Sequence, residues 1–397
     1  MRHSGPRMTI DFSETDSQRQ ILETVDRLMA RHLPPAELRR RDAGHVPPYD
    51  LLPHFAEAGL LAMALPERYG GLAMDWTSVC LVQQRLGHRG YMAASLFNRV
   101  IAFGAMSLLT YASEEQKARL LPQLAAGRLL CALALTEPEA GSDAANVRTR
   151  AELRADGWHI TGRKVWISDA AAADYLLVVA RTAAGSTGAS GLSILMVPPR
   201  TPGVAMTELA KIGNNAMPSY DIGFDGAVVP PDALLGVAGE GFRHLMSTLH
   251  FSRASMAATV SGCAQAAVDL ALAHAKERRQ FGQPLAGFQA VRHRLADMQM
   301  RVDQSRLSVL HLAWLIATGR PCRREAAQAK IIATEALQYV THHGMQIMAS
   351  AGYAADSDMQ RYWRDARLYT FGEGANEIQR DIVARELGLA AKPQAPN

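Results

Sequence analysis

One segment of the chain, 134–143, carries residue types that could bind an oxygen-rich group. An apolar, strand-like run leads there into a turn that contains Pro138, Gly141 and Ser142. Small residues in a turn let backbone N–H groups come close to a phosphate or carbonyl oxygen. The turn is therefore a candidate binding loop for an anion or a carbonyl group.

A second segment, 162–168, combines an aromatic surface with a hydroxyl group. Trp166 and Ser168 are two residues apart on a run that has an extended pattern, so their side chains should point the same way. A flat surface beside a hydrogen-bond partner suits a planar heteroaromatic cofactor. Taken alone, Trp166 is more typical of an ordinary hairpin with a half-buried tryptophan.

Two further segments contain charged residues in less specific patterns. Arg278 follows a long helical pattern, and an arginine at a helix C-terminus ordinarily compensates the helix dipole. In 371–380, Glu373 and Gly374 precede an apolar helical pattern, so they could form a turn in which Asn376 caps the helix. Neither interpretation requires a function.

The elements that must position these segments fall into three stretches. Residues 13–130 show apolar residues at helical spacing, with a capping box at Ser113 and Gln116. From 131 to 240, short runs rich in Val, Ile and Leu alternate with turn residues, which predicts a β domain. The order helical, β, helical predicts a mainly α member of the α+β class. The long helical patterns of the last stretch cover 242–278, 289–318 and 323–349.

Composition limits the class of protein. Of the 397 residues, 48% are hydrophobic and 20% are charged, which is typical of a globular protein of two or three domains. The formal net charge of +4 comes without a dense Lys/Arg run, so we expect no nucleic acid as partner. No stretch approaches roughly 18 uninterrupted apolar residues, so we expect no membrane span.

The cysteines indicate a reducing environment. They lie far apart, without a C-x-x-C pair or the spacing of metal ligands. We therefore expect free thiols, no metal site and a cytoplasmic enzyme. The four residues are Cys80, Cys131, Cys263 and Cys322.

Together, the segments 134–143 and 162–168 resemble the flavin-binding signature of the acyl-CoA dehydrogenase family. Segments 65–71 and 113–117 are similar to other elements of that family, and the resemblance extends from about residue 10 to 390. It implies four parts of the chain. They are an N-terminal α-helical domain (8–130), a middle domain of barrel-like or orthogonal β-sheets (131–240), a C-terminal four-helix bundle (241–390) and a tail (391–397).

The resemblance implies FAD as the cofactor. Leu135 and Thr136 match residues that hydrogen-bond the flavin's pyrimidine edge, and Ser142 matches one that contacts the diphosphate or the substrate's pantetheine arm. Trp166 packs at the ring in this comparison, and Ser168 stands where the family often has Thr. Oriented donors stabilise the negative charge that a flavin gains on reduction. The implied cofactor-binding residues are Leu135, Thr136, Gly141, Ser142, Trp166, Ser168, Arg278, Gln280, Phe281, Gln346, Gly352 and Asn376.

Part of this FAD site is implied to come from a neighbouring subunit. Arg278, Gln280 and Phe281 match the R-x-Q-F-G element with which one subunit of the family grips its neighbour's FAD diphosphate, so we expect a homotetramer or a homodimer. Arginine suits a diphosphate because its fork can bond two oxygens. Ala349 and Ser350 replace a Gly-Gly pair of the family, which narrows the approach of the ADP moiety.

The resemblance also implies a catalytic base. Glu373 matches the family's general base, which removes the α-proton of an acyl thioester while the β-hydride passes to N5 of FAD. Some branches place the base at the position of Ser252, which carries no carboxylate. Gly372 stands where many members have Tyr, a change that reshapes the acyl pocket. The implied substrate-binding residues are Ser142, Arg253 and Gly374.

The implied function is α,β-dehydrogenation of an acyl-CoA or an acyl-carrier-protein thioester, with an electron-transfer flavoprotein as acceptor. An acyl-CoA oxidase or a flavin monooxygenase on the same fold is an open alternative, although retention of Glu373 argues against the monooxygenases. A non-catalytic, DNA-associated flavoprotein is a further alternative. That branch adds a basic C-terminal extension, whereas this chain ends in a short, nearly uncharged tail.

Overall fold

The computed structural model describes residues 13–389. The start of the predicted first domain, 8–12, and the predicted tail, 391–397, lie outside this range. Helices fill the first and last parts of the described chain, and a sheet lies between them. The predicted mainly α member of the α+β class is thus confirmed.

The first helical part runs to residue 125. Its first helix begins behind a capping box in which Thr15 and Gln18 satisfy each other's backbone N–H groups. The capping box predicted at Ser113 and Gln116 is confirmed at the start of the last helix of this part. The helices are α1 (Asp16–His32), α2 (Pro35–Gly44), α3 (Leu51–Glu57), α4 (Trp76–Arg89), α5 (Tyr91–Asn98), a π-helix (Arg99–Ala105), α6 (Met106–Tyr111) and α7 (Glu114–Ala125).

The middle part forms one mixed sheet of eight strands. Seven strands pair in the order β6-β7-β3-β2-β4-β5-β8, and β1 pairs with β4 in parallel. The hairpin predicted around Asp156 and Gly157 is confirmed by the antiparallel pairing of β2 with β3. The strands are β1 (Cys131–Ala134), β2 (Arg150–Arg154), β3 (Gly157–Ser168), β4 (Tyr175–Arg181), β5 (Leu192–Val197), β6 (Val204–Glu208), β7 (Ser219–Val229) and β8 (Leu234–Leu235).

Three long helices dominate the last part, and their predicted positions are confirmed to within one residue at each end. Helix α8 packs against α4 and against two later helices, α9 and α10, while α13 packs against α10. A small β9–β10 hairpin follows α8. The elements are α8 (Gly241–Glu277), β9 (Arg279–Gln280), β10 (Gln283–Pro284), α9 (Gln289–Ala317), α10 (Arg323–Met348), α11 (Ser350–Tyr353), α12 (Asp358–Ala366) and α13 (Asn376–Glu386).

Helix α8 reaches the first helical part through a close crossing with α4. A Cβ on Gly87 would lie 2.3 Å from the carbonyl oxygen of Thr259, and one on Gly262 would lie 2.1 Å from that of Gln84. Glycine is therefore required on both helices at the crossing. The contact fixes α8 against the N-terminal helices along its buried, alanine-rich middle.

Two helical stretches are long and apolar enough to cross a membrane by composition alone. They are Tyr91–Tyr111 and Gly241–Glu277, and 78% and 72% of their most apolar windows are buried inside the protein. Such burial is typical of core helices. The four cysteines are free, as predicted, and all four are buried.

Candidate active site

The two chemically suggestive segments lie side by side, held by a buried lysine on β3. Lys164 Nζ donates to the carbonyl oxygen of Leu135 at 2.9 Å and pairs with Glu137 Oε1 at 2.7 Å. The backbone N–H of Val165 donates to the carbonyl oxygen of Thr136 at 2.9 Å. Burial lowers the pKa of Lys164 to about 8, although the carboxylate of Glu137 opposes that shift.

The aromatic residue of the second segment occupies a β-bulge. Pairing of β3 with β7 shifts register between Lys164 and Ile167, and Trp166 adopts a φ of 61°. Ile167 is buried, whereas Trp166 is 55% exposed and Ser168 is half-buried. Exposure alternates over these three residues, but the regular extended run predicted from the sequence is interrupted at Trp166. That Trp166 and Ser168 point the same way stays a prediction.

The turn of the first segment is open to solvent. Glu137 and Ala140 exchange two backbone hydrogen bonds of 3.1 and 3.2 Å, which close a tight turn. A Cβ on Gly141 would meet nothing within 4 Å, and Ser142 is exposed. The backbone of this loop is therefore accessible to a ligand.

Glu373 lies in a strained turn between a short helical segment, Arg367–Thr370, and α13. Its φ is 54°, and Gly374 follows at 94°. The Oε2 atom of Glu373 is buried and has no hydrogen-bond partner among residues 13–389. Burial raises the pKa of Glu373, against the opposing effects of Arg99 and of the Ser252 hydroxyl.

Both ends of the Glu373 turn are tied to α10 by Lys330. This fully buried ammonium donates to Asn376 Oδ1 at 2.7 Å and to the carbonyl oxygen of Thr370 at 3.3 Å. Asn376 Nδ2 in turn donates to Thr334 Oγ1 at 3.1 Å. Burial lowers the pKa of Lys330 to about 8. The interpretation of Asn376 as the helix cap is wrong, because Ala375 takes that position.

Arg253 lies on α8 within the electrostatic reach of Glu373. Its side chain is almost completely buried, and Nε has no partner in the described part of the chain. Burial lowers the pKa of Arg253, and Glu373 opposes the shift. The predicted substrate role of Arg253 stays a prediction, as does that of Gly374, whose carbonyl oxygen accepts a hydrogen bond from Gln379 at 3.3 Å.

A buried ion pair connects the β3 side of the site with the Glu373 side. Arg99 Nε donates to Asp169 Oδ2 at 3.2 Å, and Tyr49 donates its hydroxyl to Asp169 Oδ1 at 2.8 Å. Asp169 directly follows Ser168, and Arg99 influences the pKa of Glu373. Sequence reasoning missed both Arg99 and Lys330, although Arg99 is the one cation within a largely apolar helical stretch, Tyr91–Tyr111.

The remaining predicted cofactor residues lie at the far end of the long helices. Arg278 comes 25 residues after Arg253, which is roughly 37 Å along a helix. Phe281 is 93% exposed at a φ of 49°, beside an exposed Gln280. At the end of α10, Gln346 and Ala349 are exposed, whereas Gly352 is buried against Met345 and Met348.

Comparison with known protein families accounts for almost the whole described chain. The N-terminal domain of acyl-CoA dehydrogenases matches residues 15–128, the middle domain matches 132–227, and the C-terminal domain matches 239–388. The chain belongs to the acyl-CoA dehydrogenase family. The family's members are FAD-dependent oxidoreductases, and so is this protein.

Individual relatives agree with the family assignment. The chain is 37% identical over 379 residues to the probable acyl-CoA dehydrogenase YngJ of Bacillus subtilis (strain 168), which covers 95% of this chain and all of YngJ. The structure of glutaryl-coenzyme A dehydrogenase with glutaryl-CoA superimposes with a TM-score of 0.92 at 31% identity, covering 96% of this chain and 98% of that one. The prolyl acyl carrier protein oxidase AnaB superimposes with a TM-score of 0.90 at 26% identity, covering 95% and 100%.

The site residues of this acyl-CoA dehydrogenase family member fit a flavin. Trp166 offers an exposed aromatic surface, and Gly141 leaves room for a ligand beside the backbone of its loop. Glu373 has a buried carboxylate oxygen whose hydrogen-bonding capacity the described chain does not use. A flat surface, an open turn and a free acceptor are the features that an isoalloxazine ring and its substrate require.

Proposed function

We propose that this protein removes hydrogen from the α and β carbons of an acyl thioester, with Glu373 as the general base. The observation that carries this proposal is the state of Glu373, whose Oε2 is buried and unpartnered. Burial raises the pKa of Glu373, so the carboxylate is a stronger base than an exposed glutamate. A carboxylate with one buried, unpartnered oxygen is suited to abstracting the weakly acidic proton next to a thioester carbonyl.

The residues of the chain would divide the work as follows. Glu373 would take the α-proton on its unpartnered oxygen, and its backbone N–H, which makes no hydrogen bond among residues 13–389, would stabilise negative charge on the thioester oxygen. Arg253 would help to orient the substrate. FAD, when bound, accepts the β-hydride. Lys330 would keep the turn that carries Glu373 in place.

Two loops of the middle domain would hold the flavin. Leu135 and Thr136 would present backbone and hydroxyl groups to the ring, and Trp166 and Ser168 would contact it from β3. The exposed backbone at Ser142 would bind the diphosphate or the pantetheine arm. These assignments rest on the position of the loop after β1 next to β3, where Lys164 holds the two together.

The distance along α8 supports an FAD site that is completed by a second subunit. Arg278, Gln280 and Phe281 are too far along the helix to reach the ligand of their own chain, so we propose that they bind the FAD of a partner in a homotetramer or homodimer. Gln346, Gly352 and Asn376 would contribute to FAD binding as well. We further propose domain divisions at 130/131 and 240/241, a cytoplasmic location and an electron-transfer flavoprotein as acceptor.

The thioester carrier is either CoA or an acyl carrier protein. CoA is favoured by the likeness to glutaryl-coenzyme A dehydrogenase, and a carrier protein by the likeness to AnaB. Both carriers present the same pantetheine arm. The AnaB likeness also supports an oxidase as the second candidate function, in which oxygen rather than a flavoprotein reoxidises the enzyme.

Anaerobic bleaching of the flavin by a panel of acyl-CoAs and acyl carrier proteins tests this proposal. We expect Glu373→Gln to retain FAD but to lose substrate-induced bleaching by at least about a hundredfold. Glu377→Gln is the matched control, since Glu377 is exposed on the first turn of α13. An unchanged bleaching rate in Glu373→Gln would exclude Glu373 as the base.

A further inference from the structure

Arg99 presents hydrogen-bond donors that the chain itself does not use. Its Nε is paired with Asp169, but its two Nη groups have no hydrogen-bond partner within residues 13–389. The side chain is 18% exposed, and its guanidinium carbon lies 5.5 Å from the ring centroid of Phe103. A mostly buried guanidinium with one free edge is suited to a planar, bidentate acceptor.

The backbone around Arg99 is unusual as well. Arg99 is the first residue of the π-helix Arg99–Ala105, and π-helical turns are frequent at functional sites. The preceding residue, Asn98, is 6% exposed, and its Oδ1 has no partner in the described chain. This turn therefore carries two adjacent polar side chains with unused hydrogen-bonding capacity, whereas buried polar groups are normally satisfied.

Buried positive charge surrounds the proposed base. Arg99, Arg253 and Lys330 all act electrostatically on Glu373. Other carboxylates offset two of these cations, since Asp169 pairs with Arg99 and two glutamates act on Lys330. The balance becomes more positive when Glu373 takes up a proton, because its negative charge is then lost. Buried charge without a counterion is costly, so an anion from the substrate would balance the site.

We propose that Arg99 binds a carboxylate carried by the acyl group, so that the preferred substrate is the thioester of a dicarboxylic acid. The anion belongs to the acyl group rather than to the carrier's phosphates, because Arg99 is within electrostatic reach of the base that acts on the α carbon and is paired with Asp169, which directly follows Ser168. The inference rests on the proposed function. Asp169 partly neutralises Arg99 and therefore weakens this recognition.

The test compares acyl-CoAs of equal length that end in a carboxylate or in a methyl group. The pairs are succinyl and butyryl, glutaryl and pentanoyl, and adipyl and hexanoyl. Binding is measured by titration calorimetry on the FAD-loaded Glu373→Gln protein, which separates recognition from turnover. Flavin bleaching of the wild-type enzyme by the same six compounds is measured in parallel.

We expect at least one pair to favour the carboxylate by about tenfold or more in dissociation constant. Arg99→Leu should reduce that ratio by about tenfold, and Asp169→Asn should increase it because the charge of Arg99 is no longer offset. Arg85→Leu is the matched control, since Arg85 is paired with Asp26 on the first helical part. The ratio of the two dissociation constants in Arg85→Leu should equal the ratio in the protein without this substitution.

The outcomes separate this inference from the proposed function. Bleaching by methyl-terminated compounds, with no preference for a carboxylate in any pair, would overturn the inference and leave the function standing. An unchanged ratio in Arg99→Leu would overturn it too. If Arg99→Leu does not fold, the Asp169→Asn protein provides the test. A preference for the carboxylate that does not increase in Asp169→Asn would contradict the proposal. No bleaching by any compound or carrier-bound acyl group would refute both.

Discussion

Ala349 adopts a backbone conformation that favours glycine, with φ 49° and ψ −131° at the end of α10. Such a conformation costs a non-glycine residue about 1–3 kcal/mol. We expect Ala349→Gly to raise the free energy of unfolding by about 1 kcal/mol, since relief of strain exceeds the added entropy of the unfolded chain. Chemical denaturation of the holoenzyme measures the change.

Ala351→Gly is the control for that substitution. Ala351 is exposed inside the short helix α11, where glycine should lower stability by up to about 1 kcal/mol. Loss of stability in Ala349→Gly would show that the turn is not strained. Because the residue also stands where the family has glycine, tighter FAD retention in Ala349→Gly is the second readout.

The raised pKa of Glu373 has a consequence for stability. The folded protein binds the proton of Glu373 more tightly than the unfolded chain does, so this group's contribution to stability is present at low pH and is lost as pH rises through the folded pKa. Glu373→Gln should therefore gain stability relative to wild type between pH 5 and pH 8. If the difference in free energy of unfolding between Glu373→Gln and wild type stays constant or falls as pH rises over this range, the charge of Glu373 is not buried. Glu377→Gln should show no such gain.

At the residue scale, the sequence was sufficient for residues whose chemistry lies in a local pattern. Trp166, Ser168 and Glu373 each stand in a short segment that resembles a family motif. Arg99 and Asp169, by contrast, acquire meaning only when folding joins positions 70 residues apart. Such pairing leaves no local signal, apart from a lone cation in an apolar helical run.

Among the elements, α10 holds the turn that carries Glu373 through Lys330. We expect Lys330→Met to lower the rate of flavin reduction, because the hydrogen bonds to Thr370 and Asn376 are lost. The positive charge of Lys330 also lowers the pKa of Glu373, so its removal should shift the pH profile of reduction toward higher pH. Stopped-flow measurements from pH 5 to pH 9 record both effects.

The pH profile distinguishes positioning from simple loss of packing. Lys330→Arg keeps the charge and should restore the wild-type profile even if the rate stays reduced. Lys276→Met, in the last turn of α8, is the control for loss of a lysine and should change neither quantity. A slower Lys330→Met with an unshifted profile would leave Lys330 with a structural role only.

The elements themselves could be predicted well where periodicity is long. The three long helices have ends within one residue of their predicted positions, since many turns average out local ambiguity. The bulge at Trp166 and the π-helix at Arg99 could not be predicted, because each changes the register of a regular element. Both irregular elements lie at the candidate site.

At the scale of the whole molecule, α8 connects the region of Glu373 with the hairpin at Arg278. We expect Arg278→Ala to weaken FAD retention and the oligomer together, because a shared diphosphate contact would be lost from both. Size-exclusion chromatography with light scattering and FAD release by dialysis measure the two effects. Lys276→Ala, two residues earlier, serves as the control. Normal FAD affinity in Arg278→Ala would refute the contact between subunits.

Since α8 runs without a break between Arg253 and Arg278, the number of residues in that interval is itself constrained. One inserted residue would rotate everything beyond it by about 100° and advance it by about 1.5 Å, turning Arg278 away from its present direction. One deleted residue would rotate and shift the same part of the chain by equal amounts in the opposite direction. Evolution can exchange side chains along this helix but has little freedom to change its length. The surface loop at 185–191, by contrast, lies outside α8, so an insertion there leaves the spacing between Arg253 and Arg278 unchanged.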